Sequence, residues 1–283
     1  KVLNSQFNDR ATAADDLSRF YSGWSKKELV EIDFDVESAV RKAEAIFRIL
    51  PKKFIEPIHS MLDYGCGYGA VLHRLTSLIG PQLKFSVGVD FSETAVSVAR
   101  ERYAADNISY EKLPSLEIKQ NIPFIKGLTG EKIDVILLID LLEHVPDCHA
   151  LIKGLSEVSE IFLIKLPLEC SIFDNYVLPK EYPSSVHSNG HLREFDANNV
   201  HYFIRGLGLT PMHEALYRYE LSDSFPPISS STPWRQRCIR FLIMSIKGFL
   251  GIFIPKKLYL RLIGGGGYIC LASYNKNHVL NPS

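Results

Sequence analysis

At 283 residues the chain is long enough to bury one sizeable core, and a composition of 46% hydrophobic and 23% charged residues is that of a globular protein. Its 32 basic residues balance its 32 acidic ones, so no chain-wide field draws in nucleic acid and no nucleic-acid partner is expected. Five cysteines, odd in number and without a C-x-x-C spacing, read as free thiols of a reducing cytoplasm. Signal-peptide, repeat and low-complexity patterns are not seen, and a cytoplasmic location is expected.

Residues 1–57 precede the most informative stretch. Ser38 to Leu50 places Val40, Ala43, Ile46, Phe47 and Leu50 on one face at helical spacing, which predicts a helix packed on the edge of a sheet. Phe20, Tyr21 and Trp24 lie in a less regular stretch before it.

An apolar run from Ile58 to Leu62 then ends in Asp63 and the turn Gly65-Cys66-Gly67-Tyr68-Gly69, followed by an amphipathic run from Val71 to Ile79. Strand, tight turn and helix in that order open a doubly wound α/β domain. Glycine accepts positive φ and lets backbone amides approach a ligand, while the helix aims its positive dipole end at the same spot. Gly65, Gly67 and Ala70 also satisfy G-x-G-x-x-G/A, so a nicotinamide or flavin enzyme is an alternative. Asp63 speaks against it, because a carboxylate there would face a doubly negative pyrophosphate. The same carboxylate suits a ligand carrying an ammonium and a sulfonium. Leu62-Asp63-Tyr64-Gly65-Cys66-Gly67-Tyr68-Gly69 resembles the first motif of the class I S-adenosylmethionine-dependent methyltransferases.

Leu83 to Val89 is a second apolar run, ending in Asp90-Phe91-Ser92. An acid at this strand tip, about 20 residues beyond a glycine turn, is placed to hold ribose hydroxyls in either enzyme class. Ser92 is placed to cap a helix from Glu93 to about Tyr103. Ile108 to Leu113 reads as a third strand, leading into Pro114-Ser115-Leu116. The family resembled commonly has an acid here near the adenine; this sequence offers Ser115 and Leu116 instead.

Lys132 to Asp140 is almost continuously apolar, as a strand covered on both faces should be. It runs into Leu142-Glu143-His144-Val145-Pro146-Asp147, which again resembles small-molecule methyltransferases of this class. The resemblance implies that the backbone of Ile139 and Asp140 meets the methionine part of the cofactor, and that Tyr21 is a candidate for closing over it. His144 is equally a residue that orders the following turn. Cys148 and His149 follow closely, but the three lack the paired ligand motifs of structural zinc, and no metal is expected.

A fifth strand, Ile161 to Leu166, precedes a segment from Cys170 to Phe195 rich in Pro, Ser, Asn and His. Loops beyond the carboxyl ends of parallel strands are where such folds take their substrates. His187 and His191 are therefore candidate bases, with loop ordering as the other reading. The resemblance favours His191, since relatives often carry Gly-His and then an aromatic, here Gly190-His191 and Phe195. Asp196 to Arg205 is a predicted helix capped by Asp196, and Leu209 to Tyr219 and Tyr268 to Tyr274 are the predicted last strands.

Between those strands lies an insertion, 222–263. Trp234 to Leu262 holds Arg235, Arg237, Arg240, Lys247, Lys256, Lys257 and Arg261 with no acid, around an apolar stretch too short and too interrupted for a membrane span. A lid or homodimer element, an interfacial helix making peripheral contact with the inner membrane surface, and an ordinary core helix all remain open.

The expected fold is α/β and Rossmann-like: about seven strands, mainly parallel, helices on both faces and an antiparallel edge strand. A helical segment (1–57) would precede a core (58–221 and 264–276) that the insertion interrupts. The resemblance implies S-adenosyl-L-methionine as cofactor, bound by Asp63, Gly65, Cys66, Gly67, Asp90, Phe91, Ser115, Leu116, Ile139 and Asp140. Methyl transfer to a small molecule or glycan, oxygen preferred, would use His191 or His187 as base. A nicotinamide-dependent oxidoreductase and a non-catalytic cofactor-binding partner protein are the alternatives.

Overall fold

The structure is a computed structural model that describes residues 29–130, 132–173, 191–219 and 234–275. Tyr21, His187 and Gly190 lie outside the described residues.

The chain enters as α1 (Leu29–Ile49) and a single turn α2 (Lys52–Ile55), then alternates β1 (Ser60–Tyr64), α3 (Ala70–Ile79), β2 (Phe85–Asp90), α4 (Glu93–Tyr103) and β3 (Ile108–Lys112). It continues through α5 (Ile118–Thr129), β4 (Val135–Ile139), α6 (Cys148–Leu155) and β5 (Ile161–Leu168). The last third holds α7 (Val200–Gly206), β6 (Leu209–Arg218), α8 (Trp234–Phe253), α9 (Lys256–Leu262) and β7 (Gly266–Tyr274). One sheet takes all seven strands in the order β3-β2-β1-β4-β5-β7-β6. The first five pair in parallel, and β7 runs antiparallel to both neighbours.

Chain order reverses direction across the sheet between β1 and β4, and a doubly wound sheet opens a crevice at the carboxyl ends of the strands at such a point. Strand β4, Val-Ile-Leu-Leu-Ile, is buried at every position, because helices cover both of its faces. One face packs Leu62, Val87, Ile136, Leu138, Phe162 and Ile164 against α5, α6 and α7; the other packs Met61, Val135, Leu137 and Leu163 against α1 and α3.

Two expectations are corrected. The helix containing Ser38–Leu50 does not sit on the sheet edge: Ala43, Ile46 and Leu50 are buried in the same cluster as Leu72 and Leu75 of α3, so α1 lies across a sheet face. Its amphipathic spacing is right, but spacing alone does not say which surface an apolar stripe meets. The helix expected from Asp196 begins later, at Val200; the Asp196 carboxylate instead accepts from the amides of Asn198 (2.5 Å) and Asn199 (2.9 Å) in the preceding turn. Helix α5 had no counterpart in the sequence reading, since Pro123 stands in its interior and breaks the pattern. Ile118 of α5 packs onto Gly154 of α6, where an added Cβ would fall 2.7 Å from its side chain.

Candidate active site

The glycine turn after β1 is fixed from within. The amides of Gly65 and Cys66 both donate to the Val89 carbonyl at the tip of β2, at 2.8 and 3.1 Å. Gly65, Gly67 and Gly69 have φ of 83°, 53° and 82°, values an L side chain adopts only with strain. At two of them space is also needed: a Cβ on Gly65 would meet Leu141 at 2.9 Å, and one on Gly69 would meet Tyr110 and Ala99 at 2.7 and 2.8 Å. Gly67 differs, with nothing within 4 Å of where a Cβ would stand. Its bare backbone faces open space, the close approach that a ligand lying on the turn requires.

Asp90 and Asp63 flank that opening. The Asp90 carboxylate accepts from the Gly67 amide (3.0 Å) and the Ser92 amide (2.8 Å), and Ser92 caps α4 by accepting from Ala95 (3.3 Å). Asp90 thus braces the glycine turn, and with the Phe91 amide as a third donor about one of a carboxylate's four acceptor sites is left for a ligand hydroxyl. Burial raises its pKa despite those amide donors. Asp63 is 2% exposed, and burial, with the nearby Asp90 charge second, pushes its carboxyl up to about 7. Cys66 turns its side chain into the core, where burial raises the thiol pKa well above its usual value, so only its backbone belongs to the turn. Phe91 packs partly buried against the neighbouring core.

Beyond β3, the buried Asn121 of α5 organises the corner that holds Ser115 and Leu116. Its amide nitrogen donates to the Ser115 carbonyl (2.9 Å) and to the Tyr64 hydroxyl (3.0 Å), and its oxygen accepts from the Ser115 amide (3.3 Å). Ser115 Oγ accepts from the Glu117 amide (3.0 Å), while Leu116 stands 64% exposed at the rim.

Ile139 ends β4 buried, and Asp140 follows at φ 51°, the one non-glycine residue with positive φ among those described. Its carboxylate is held between two cations: Lys42 of α1 at 2.8 Å, and the fully buried Lys165 of β5, which also donates to the Tyr219 hydroxyl at 3.0 Å. Burial works against charge on Asp140, but Lys165 and then Lys42 outweigh it and hold its pKa below the carboxylate range. Burial likewise opposes the Lys165 charge, and Asp140 outweighs it, so the lysine pKa is raised.

On the other side of Asp140, Glu143, His144, Glu169 and His191 gather above the ends of β4 and β5. His191 Nδ1 lies 2.6 Å from Glu169 Oε2, and the His191 ring meets His144 edge-on with centroids 4.7 Å apart. Glu143 is completely buried and neither carboxyl oxygen has a hydrogen-bond partner among the described residues. Burial and then the Asp140 charge push its pKa well above the usual range. An unpartnered buried carboxyl is costly, and such groups mark places where a ligand completes the bonding. Glu143, His144 and His191 each offer a ligand atom within 4.8 Å of the others, near enough to close on one cation. Cys148 and His149, weighed in the sequence as zinc candidates, turn elsewhere: the Cys148 thiol donates to the Leu142 and Val145 carbonyls, and His149 Nε2 lies 2.8 Å from the Gly206 carbonyl. Arg193 is a clamp, its Nη1 donating to the carbonyls of Leu142 and Val145 (2.6 Å) and Nη2 to that of Pro146 (3.2 Å).

The crevice therefore brings together Asp63, the glycine turn and Asp90 on one side, and Asp140 and His191 on the other. Lys42, Glu143, Lys165, Glu169 and Tyr219 were given no role in the sequence reading. Lys165 had a signal, a lone cation in the apolar run Ile-Phe-Leu-Ile-Lys-Leu, which a strand covered on both faces admits only if the charge is paired.

A seven-stranded sheet with this order, its glycine turn at the switch point and an acid at the next strand tip, defines a nucleoside-binding α/β protein of the methyltransferase fold. Residues 55–193 match the family model of a methyltransferase domain. Among curated relatives, the ubiquinone biosynthesis O-methyltransferase of Pasteurella multocida is 33% identical over 96 residues, 32% of this chain and 38% of that protein. The protein of the same description from Pseudomonas syringae pv. tomato is 28% identical over 102 residues, 33% of this chain and 39% of that one. One from Coxiella burnetii is 29% identical over 170 residues, 50% of this chain and 67% of that one. The chain thus spans about four-tenths of the length of the first two. The plantazolicin methyltransferase BamL, solved with a desmethyl-plantazolicin analogue and SAH, aligns with a TM-score of 0.50 and 16% identity over 96% of this chain and 99% of that chain, a likeness of fold.

Proposed function

We propose that this chain transfers a methyl group from S-adenosyl-L-methionine to an oxygen of a small-molecule acceptor. The observation that carries the reading is the pairing of an open, side-chain-free Gly67 with the buried acid Asp63 at the switch point. A dinucleotide would bring a pyrophosphate to that acid; S-adenosylmethionine brings an ammonium and a sulfonium, so the residues present fit the methyl donor. When bound, that donor supplies an electrophilic methyl on sulfur, and the displacement needs alignment and, for a weakly acidic hydroxyl, a base. With the Nδ1 proton donated to Glu169, His191 presents Nε2 as the basic nitrogen that takes the hydroxyl proton. The names of the curated relatives, O-methyltransferases of ubiquinone biosynthesis, support oxygen as acceptor.

Calorimetric titration tests the reading. S-adenosylhomocysteine is expected to bind and NADH not to; the reverse would overturn the proposal. His191→Gln should keep S-adenosylhomocysteine affinity and lower kcat by about 100-fold, the lower end of the range for losing a general base.

A second expectation concerns protons. Asp63 is largely protonated below pH 7 in the unliganded protein, whereas a bound cation favours its carboxylate. Binding therefore releases a proton below about pH 7, and affinity should rise with pH up to that point and then level off. Because the folded-state pKa is raised, stability should fall as pH climbs from about 4, the unfolded value, through about 7. Asp90 and Glu143 push in the same direction, so the readout is the difference between wild type and Asp63→Asn. Titrations in buffers of different ionisation enthalpy should show proton release in the wild type and its reduction in the variant.

A further inference from the structure

Among its described residues, helix α8 meets the domain by one side. Leu250 and Ile254 pack against the core, and Gly251 admits the Arg218 guanidinium so closely that a Cβ there would fall 1.7 Å from Nη1. The opposite side carries Phe241, Leu242, Ile246, Phe249, Ile252 and Phe253, each between 49% and 76% exposed. At 3.6 residues per turn these six fall in a sector of about 140°. The polar residue within it, Ser245, turns its hydroxyl back to the Phe241 carbonyl at 2.9 Å. A contiguous apolar face of this kind on a protein surface marks a contact with another apolar phase.

Charge decides which phase. From Trp234 to Leu262 the chain has seven Lys and Arg and no Asp or Glu. Arg235 stands exposed at one end of the face and Lys256 and Lys257 just past the other, beside the exposed Leu258. A second copy meeting this helix face to face would bring together two segments that each carry basic residues and no acid to pair with them. Acyl chains accept the aromatic and aliphatic face, and anionic headgroups accept the cations at its ends. Among the described residues no helix is long and apolar enough to cross a membrane, so the helix would lie in the interface plane.

We propose that α8 docks this protein onto an anionic lipid surface. Topology sets the orientation: β6 ends at Arg218 opposite Gly266 of β7, and Gly266 pairs with Leu168, the last residue of β5. The connection carrying α8 and α9 thus leaves and re-enters the sheet at the edge where Asp140, Glu169 and His191 lie, and docking turns that edge toward the bilayer.

Vesicle flotation of the full chain tests this, with phosphatidylcholine vesicles doped or not with phosphatidylglycerol. The expected result is binding to the anionic vesicles at least about tenfold stronger than to pure phosphatidylcholine, weakened by salt. Phe249→Glu with Ile252→Glu should abolish it at unchanged melting temperature and S-adenosylhomocysteine affinity, because both side chains already face water. Lys256→Gln with Lys257→Gln should diminish the preference for anionic lipid. Absence of binding to anionic vesicles at low salt would overturn the proposal. So would a wild-type dimer in light scattering that the Phe249→Glu, Ile252→Glu variant converts to monomer. Vesicle binding is read without any acceptor, so its outcome is independent of the methyl-transfer reading.

Discussion

Gly67→Val should leave a folded protein that no longer binds S-adenosylhomocysteine, whereas Gly69→Val, two residues on, should fail as a fold. Both glycines have positive φ, 53° and 82°, and a left-handed conformation costs an L residue about 1–2 kcal/mol wherever it stands. What separates them is the space around each. The Gly69 substituent would collide with Tyr110, whose hydroxyl donates to the Gly69 carbonyl at 2.9 Å, and with Ala99 of α4. Overpacking of that kind adds about 1–3 kcal/mol, which together with the backbone strain is a large part of a domain's total stability. The Gly67 substituent meets nothing, so its strain is the whole cost to folding. The valine instead projects into the volume where the ligand would lie, and an overlap worth about 3 kcal/mol weakens binding by about 100-fold. Denaturant melts and calorimetry on the two variants separate the cases. Equal loss of stability, or unaltered binding by Gly67→Val, would mean that the open side of the turn is not where the ligand sits.

The parts of this molecule legible in the sequence are those that local pattern controls. Ile58 to Ile79 reads as strand, turn and helix because an apolar run stops at an acid and three glycines, and β1 and α3 lie there. Asp90 with Ser92 marks the end of β2 and the start of α4 for the same reason, and the Ser92 cap forms as the sequence implies. The final strand pair was also visible, because Tyr268 to Tyr274 is nearly all apolar and a basic segment of different character sets it off from Leu209 to Tyr219. What local pattern does not control was not legible. Asn121 reaches Tyr64 from a helix hidden by Pro123, 57 positions along the chain. The His191–Glu169 pair joins residues 22 apart whose intervening segment gives no periodic signal. Lys42 and Asp140 meet only because α1 lies across the sheet face rather than along its edge, the one placement for which the amphipathic spacing was silent.

Removing one member of the Asp140–Lys165 pair should be among the most destabilising single changes outside the apolar core. Lys165 has 1% of its side chain exposed, so Asp140→Asn would leave an ammonium buried beside the Tyr219 hydroxyl with no anion, and with the Lys42 charge still close. Breaking a buried ion pair in this way costs about 3–5 kcal/mol, mostly the desolvation of the charge left behind. Asparagine tolerates the φ of 51° at position 140 nearly as well as aspartate, so the variant isolates the charge from the backbone. Lys165→Met leaves Asp140 with Lys42 as partner and 22% of its side chain exposed, which screens the remaining pair and makes this the milder substitution. Asp140→Asn with Lys165→Met should recover much of the loss, and a double-mutant cycle in urea gives the coupling directly. The pH dependence has a definite sign. Asp140 is depressed in the folded protein, so its contribution is complete above about 4, the unfolded value, and is lost as pH falls through the lower folded one. Lys165 is raised, so its contribution is complete below about 10.4 and is lost only as pH rises through its higher folded value. Between those limits the pair's contribution to stability should be flat, and the difference in unfolding free energy between wild type and the double variant should narrow only toward the acid and alkaline ends. The comparison is made in a Glu143→Gln background, which silences the neighbouring acid that the Asp140 charge perturbs. A difference there that instead varied steeply between pH 5 and 9 would show that one of the two groups titrates in the folded state within that window, and would remove the ion pair as the element holding β4 to β5 at the site.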